Sequence, residues 1–118
     1  HLHYTFHHGG AVKSANKDQQ MIKKALDDNN LETIDFWTKK MAYHLSSHIL
    51  HSIFWTNLIN KKMSPQGDLL KRIEKDFGSY EKLKAYLAKT SKDVDGNGWG
   101  ILSYQPYIDK LTVQQCEN

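Results

Sequence analysis

A polar break of four residues, Asp27-Asp28-Asn29-Asn30, separates two long stretches that both carry helical periodicity. That arrangement leaves few folds open. From His1 to about Asp28, Leu2, Phe6, Val12, Met21, Ile22 and Ala25 recur among Lys and Gln residues. From Leu31 to about Asn60, Ile34, Trp37, Met41, Leu45, Ile49 and Phe54 recur at intervals of three, four or five, the spacing of one helix face. Two long helices joined by so short a turn pack antiparallel. Gly9 and Gly10 each weaken a helix interior by about 1 kcal/mol relative to Ala, so a kink or a close approach is expected there.

The remainder reads differently. Lys61 to Gly67 is a loop holding Ser64-Pro65-Gln66-Gly67. A short helix then presents Leu69, Leu70, Ile73 and Phe77, and Gly78 is placed to stop it. Ser79 is placed to cap the next helix, with Glu81 in its first turn, where a negative charge meets the positive helix end. That helix carries Tyr80, Leu83, Tyr86 and Leu87 and ends near Lys92. Trp99 to Tyr104 and Leu111 to Gln115 are strand-like, bridged by Gln105 to Lys110, and predict a hairpin. The fold class is α+β: a long N-terminal antiparallel helical hairpin over residues 1–62, then a smaller α/β domain with an antiparallel sheet over 63–118.

Composition excludes several classes of function. With 39% hydrophobic, 25% charged and 11% aromatic residues, the chain has enough apolar surface to offset ordering entropy. A net charge of +3 can steer a small anion but does not make a nucleic-acid surface. No run approaches the ~18 apolar residues of a membrane span, and the start lacks a secretory pattern. The single Cys116 rules out an internal disulfide and fits a reducing compartment. Cytoplasm or mitochondrial matrix is the expected location. Helical periodicity begins at the first residue and a strand reaches the last, so the chain reads as a fragment.

The chemistry is concentrated in histidine. All seven histidines lie within the first 51 residues, at positions 1, 3, 7, 8, 44, 48 and 51. A helix turns ~100° per residue, so His44, His48 and His51 share one face; His3 and His7 share another, with His8 beside them. Facing helices can bring the two groups together, and clustered neutral imidazoles bind metals. Spacing alone leaves two readings open: a metal site, or core-edge histidines bonded to backbone and water. Zinc, iron, manganese and copper all fit by that argument. Spacing also does not separate ligands from the histidines that support them.

Other features are weaker. Asp93-Val94-Asp95-Gly96-Asn97-Gly98 opens like a calcium-binding loop, but the bidentate Glu required at its twelfth position is Tyr104. A Gly-rich turn into a hairpin is the favoured reading. Trp55 and Trp99 are either pocket walls or core. Lys82, Lys84, Lys89 and Lys92 form a solvated face, and no base stands near Cys116 in sequence to make it a nucleophile.

Four ordered motifs resemble the iron/manganese superoxide dismutases along the whole chain. His48-Ile49-Leu50-His51-Ser52-Ile53-Phe54-Trp55-Thr56-Asn57-Leu58 is similar to their second-helix motif, and Leu2-His3-Tyr4-Thr5-Phe6-His7-His8 to their first. Asp76-Phe77-Gly78-Ser79 resembles the family's helix break and Gly96-Asn97-Gly98-Trp99-Gly100 its entry into the sheet, while Cys116-Glu117-Asn118 fits the following strand end. The resemblance implies that His3 and His51 are metal ligands and that His7 and His8 belong to the active-site funnel and its surroundings. It likewise makes Trp55 and Trp99 pocket-lining residues. The family's other two ligands come from an Asp-x-Trp-x-x-His motif, expected beyond Asn118.

The implied activity is disproportionation of superoxide to dioxygen and hydrogen peroxide at one Mn or Fe ion per complete subunit. The implied partners are the superoxide anion and further copies of the chain, as a homodimer or homotetramer, with no nucleic acid and no membrane. Within the covered region Ala11 stands where the family has a pocket Tyr, which bears on proton delivery more than on metal binding. His44 replaces a common Asn, and Leu50 matches the iron-using or metal-tolerant branch. A dismutase-like structural or assembly protein without catalysis is the alternative that Ala11 motivates, and a histidine-rich metal store is a third.

Overall fold

The computed structural model describes residues 1–117, so Asn118, assigned above to a strand end, lies outside it. The chain divides into two compact units, His1–Asn60 and a second beginning at Lys61.

The first unit opens with a π-helical turn, His3–His8, which continues into α1, Gly9–Asp27. The amide of Gly9 reaches back five residues to the Tyr4 carbonyl, the widened ladder of a π segment. Gly9 itself has ordinary helical dihedrals, φ −60° and ψ −36°. The irregularity next to the glycines is a wide turn just before them. At the polar break, Asp28 ends α1, Asn29 takes φ 53°, and the Asn30 side chain accepts the Glu32 amide at 3.1 Å. This turn runs on through Thr33, so α2 spans Ile34–Thr56 and is shorter than its periodicity predicted.

The seam between α1 and α2 differs from the apolar pattern that announced it. Along α1 the buried residues are Ala11, Ala15, Asp18 and Ala25, and half-buried Ile22 completes alternating four- and three-residue steps. Leu2 and Phe6, expected inside, are exposed. Along α2 the inward face runs Ile34, Trp37, Met41, His44, His48, His51, Trp55, again in steps of three and four. Leu45 and Ile49, expected on that face, are exposed. The apolar residues of α2 drift off the seam because three of its positions are histidines. Alternating three–four steps on both helices are the geometry of close two-helix packing, and alanines on one side let the backbones approach.

In the second unit, α3 spans Gly67–Phe77 and α4 spans Tyr80–Lys92. Gly67, expected in the loop, is the first residue of α3. Gly78 stops α3 at φ 91°, a conformation that side chains disfavour, and Ser79 Oγ accepts the Lys82 amide at 3.1 Å to cap α4. Strands β1, Gly98–Gln105, and β2, Lys110–Glu117, pair antiparallel with Trp99 opposite Cys116 and Leu102 opposite Val113. Both are longer by one or two residues at each end than their β-rich runs. Ile73 and Leu83 are almost wholly buried and form the centre of this unit. Gly100 permits α4 to lie directly on β1, since a Cβ there would overlap Ser91. The hairpin is tied to α3 by the Asp76 carboxylate, which accepts the Leu111 amide at 2.8 Å and lies 3.2 Å from Arg72 Nε. Arg72 also bonds the carbonyl and carboxylate of Asp109, and Tyr104 donates to the same carboxylate at 2.7 Å. Tyr104 thus sits within β1, which disposes of the calcium-loop reading. Among the described residues no helix is long and apolar enough to cross a membrane.

Candidate metal centre

The site is assembled where the π turn meets the C-terminal half of α2. His51 is buried at 5% exposure and is the hub. The rings of His3, His8 and His7 lie 5.0, 5.3 and 6.1 Å from its centroid. The widened turn lets residues three to eight direct three imidazoles at one point on the facing helix.

The central contact is between His3 Nε2 and His51 Nε2, 3.0 Å apart. His51 Nδ1 lies 2.7 Å from the Ser47 carbonyl oxygen, which can only accept. That bond puts the His51 proton on Nδ1 and leaves the Nε2 lone pair directed at His3. Two imidazole nitrogens this close must share a proton or a cation. Two nitrogens bound to one ion at ~2.1 Å and subtending about 90° are likewise separated by about 3.0 Å, so the spacing of the pair is compatible with two ligands of one ion. Withdrawal from water, followed by repulsion from His51 and His7, pushes the His3 pKa down. The neutral, metal-binding form is favoured.

Beside this pair runs a hydrogen-bonded chain. The Trp55 indole donates from Nε1 to His8 Nδ1 at 2.9 Å, and His8 Nε2 lies 2.8 Å from His48 Nδ1. His8 is buried. Desolvation, then repulsion from His48 and His51, lowers its pKa, so this imidazole too is held neutral. Trp55 also packs edge-on against His3 at 5.2 Å and Tyr4 at 5.8 Å. Farther along the seam, His44 Nδ1 lies 2.6 Å from the carboxylate of Asp18, whose side chain is 3% exposed.

Of the residues singled out in the sequence, His3 and His51 are brought into direct contact, with His7 and Trp55 against them. Trp99 belongs to the second unit, on β1. No motif signals Ser47, whose backbone orients His51, or Asp18, the partner of His44. Asp18 could have been found by continuing the Ala11–Ala15 step three residues on; Ser47 acts through a carbonyl that any residue would supply. Among the described residues, no group of three or more His, Cys, Asp or Glu side chains is disposed to hold a metal ion.

Comparison with known proteins agrees across both units. Residues 1–59 match the α-hairpin domain of iron/manganese superoxide dismutases, and residues 65–118 match the C-terminal domain of the same proteins. The chain is 38% identical over 117 residues to a "Probable superoxide dismutase [Fe]" of Bacillus subtilis, covering 98% of the chain and 42% of that relative. It is 36% identical over 119 residues to an iron superoxide dismutase of Pyrobaculum aerophilum, covering 98% of the chain and 56% of the relative. A mitochondrial manganese superoxide dismutase of Petromyzon marinus is 36% identical over 118 residues, 99% of the chain and 82% of that protein. The chain thus spans about half the length of the first two relatives and most of the third.

Proposed function

Because the chain belongs to the iron/manganese superoxide dismutase family, we propose that the protein converts superoxide to dioxygen and hydrogen peroxide, with His3 and His51 as two nitrogen ligands of one Mn or Fe ion per subunit. The observation that carries this reading is the 3.0 Å approach of the two Nε2 atoms, with the His51 lone pair fixed by Ser47. When bound, the ion supplies one-electron oxidation and reduction, so that two superoxide anions and two protons give dioxygen and hydrogen peroxide.

The protein's residues contribute orientation, access and exclusion of water. The Ser47 carbonyl holds the Nδ1 proton of His51 and so keeps Nε2 free to bind. His7 is exposed and stacked on His51; it stands at the solvent side, where a small anion arrives. Trp55, half-buried against His3, closes one flank to bulk water. Trp99 is assigned a lining role on its motif. The net charge of +3 favours approach of an anionic substrate. The reading extends to assembly as a homodimer or homotetramer and to a location in the cytoplasm or mitochondrial matrix.

The test is metal analysis of the intact protein together with superoxide consumption. One Mn or Fe per subunit and rapid loss of superoxide are expected, both abolished in His51→Ala. Absence of both metals would overturn the proposal. A protein that binds Mn or Fe yet leaves superoxide untouched would instead favour a structural, dismutase-like role.

A further inference from the structure

The Trp55–His8–His48 chain is polar in one direction only. An indole N–H donates and never accepts, so His8 Nδ1 must present its lone pair to Trp55. The neutral His8 ring then carries its proton on Nε2, and the 2.8 Å contact makes His48 Nδ1 the acceptor. His48 in turn holds its proton on Nε2. Every proton in the chain is assigned by the network.

The arrangement is also placed to act on the ligand pair. His48 and Trp55 are seven residues apart on α2, two turns on one face, with His51 between them. His8, buried at the junction of the π turn and α1, is therefore gripped at both ring nitrogens across His51. Its ring is stacked on His51 at 5.3 Å with an interplanar angle of 16°. The other end of the grip touches the other ligand, because Trp55 meets His3 edge-on at 5.2 Å. One element thus contacts His51 through His8 and His3 through Trp55.

We propose that His8, His48 and Trp55 form a clamp with locked tautomers that positions His3 Nε2 against His51 Nε2, making His8 and His48 positioning residues for the metal site. This rests on the dismutase reading for its consequence, and on geometry for its existence. The clamp removes the freedom of the π turn to slide along α2, so the two nitrogens do not have to be brought together when the ion binds. Residues that support ligands without binding the ion change metal affinity by about 10–100-fold when lost.

The test uses three variants of the intact protein. His48→Ala removes the acceptor; His48→Asn keeps an amide oxygen near the position of Nδ1; Trp55→Phe removes the indole N–H and keeps an aromatic ring. Nitrogen-15 NMR of the imidazoles reads the tautomers of His8 and the environment of His51 without metal. Titration with Mn(II), followed by electron paramagnetic resonance, reads affinity and coordination symmetry. His48→Ala and Trp55→Phe are expected to mix the His8 tautomers, shift the His51 ring signals and weaken Mn(II) about 10–100-fold. His48→Asn is expected to restore the signals and bring affinity within about threefold of wild type. Wild-type spectra and affinity in His48→Ala and Trp55→Phe would overturn the clamp, as would His48→Asn behaving like His48→Ala. Should the wild-type protein bind no Mn or Fe at all, the dismutase reading fails; the metal-free His51 signals then decide the clamp alone, their constancy across the variants refuting it.

Discussion

The carboxylate of Asp18, buried in the middle of α1, accepts a 2.6 Å hydrogen bond from Nδ1 of His44 on α2. Among the described residues it is the one acidic side chain buried in that seam, and it follows Ala15 on the side away from His3–His8. A buried carboxylate without its donor keeps the desolvation cost and loses the compensation. His44→Ala is therefore expected to destabilise the hairpin by about 2–3 kcal/mol, read as a lower urea midpoint at unchanged slope. His44→Asn, which can offer an amide N–H from nearly the same point, is expected to lose less than half as much. Equal losses in the two variants would refute a role for this bond.

His3 and His51 are expected to behave alike toward metal and differently toward stability. Each supplies one nitrogen of the pair, so either alanine variant should bind Mn or Fe too weakly to survive gel filtration. His51 is buried and His3 exposed. Only His51→Ala should also lower the melting temperature of the metal-free protein, by the several degrees that a core truncation produces in a small domain.

In the second unit, Asp76 holds the hairpin to α3. Its side chain is 3% exposed and accepts the Leu111 amide at 2.8 Å. Asp76→Ala is expected to cost about 2–3 kcal/mol, because a buried amide is left unsatisfied and Arg72 loses its buried partner. Hydrogen exchange at Leu111 should accelerate more than at Val113, farther along β2. Exchange unchanged at Leu111 would count against the assignment.

The hairpin turn should loosen in acid. Bonds from Tyr104 and then Arg72 hold the Asp109 carboxylate below the usual carboxylate range, and the same bond raises the Tyr104 phenol. The folded chain therefore releases this proton more readily than the unfolded one. The stabilisation is present above about pH 4, the ordinary carboxylate range, and is lost as pH falls through the lower folded value. Carbon-13 NMR titration should give Asp109 a midpoint below about 4, the ordinary carboxylate value, and Tyr104→Phe should move it upward. An Asp109 midpoint at or above the ordinary carboxylate value would contradict the contact.

Much of the fold is legible along the chain because its signals are local. The Asp27–Asn30 break, the Gly78 stop and the Ser79 cap depend on backbone conformation and neighbouring amides, and each lies where residue type predicted. The α2 seam was harder to read. Leu45 and Ile49 follow the apolar pattern but face outward, while His44, His48 and His51 take the inward steps. Hydrophobicity locates a buried face only when the buried residues are apolar. Here their burial is balanced by hydrogen bonds to Asp18, His8 and the Ser47 carbonyl, which no hydropathy pattern encodes.

The helical hairpin and the order of elements after it are written along the chain, and the motifs point to His3 and His51. These follow from periodicity, turn chemistry and motif. Packing in three dimensions sets the π-helical first turns, the 3.0 Å approach of the two Nε2 atoms, and the grip of Trp55 and His48 on His8. The side-chain contacts among them join residues forty or more positions apart. Their distances are set by how closely an alanine-lined helix approaches its partner, a property of packing that the linear chain does not carry.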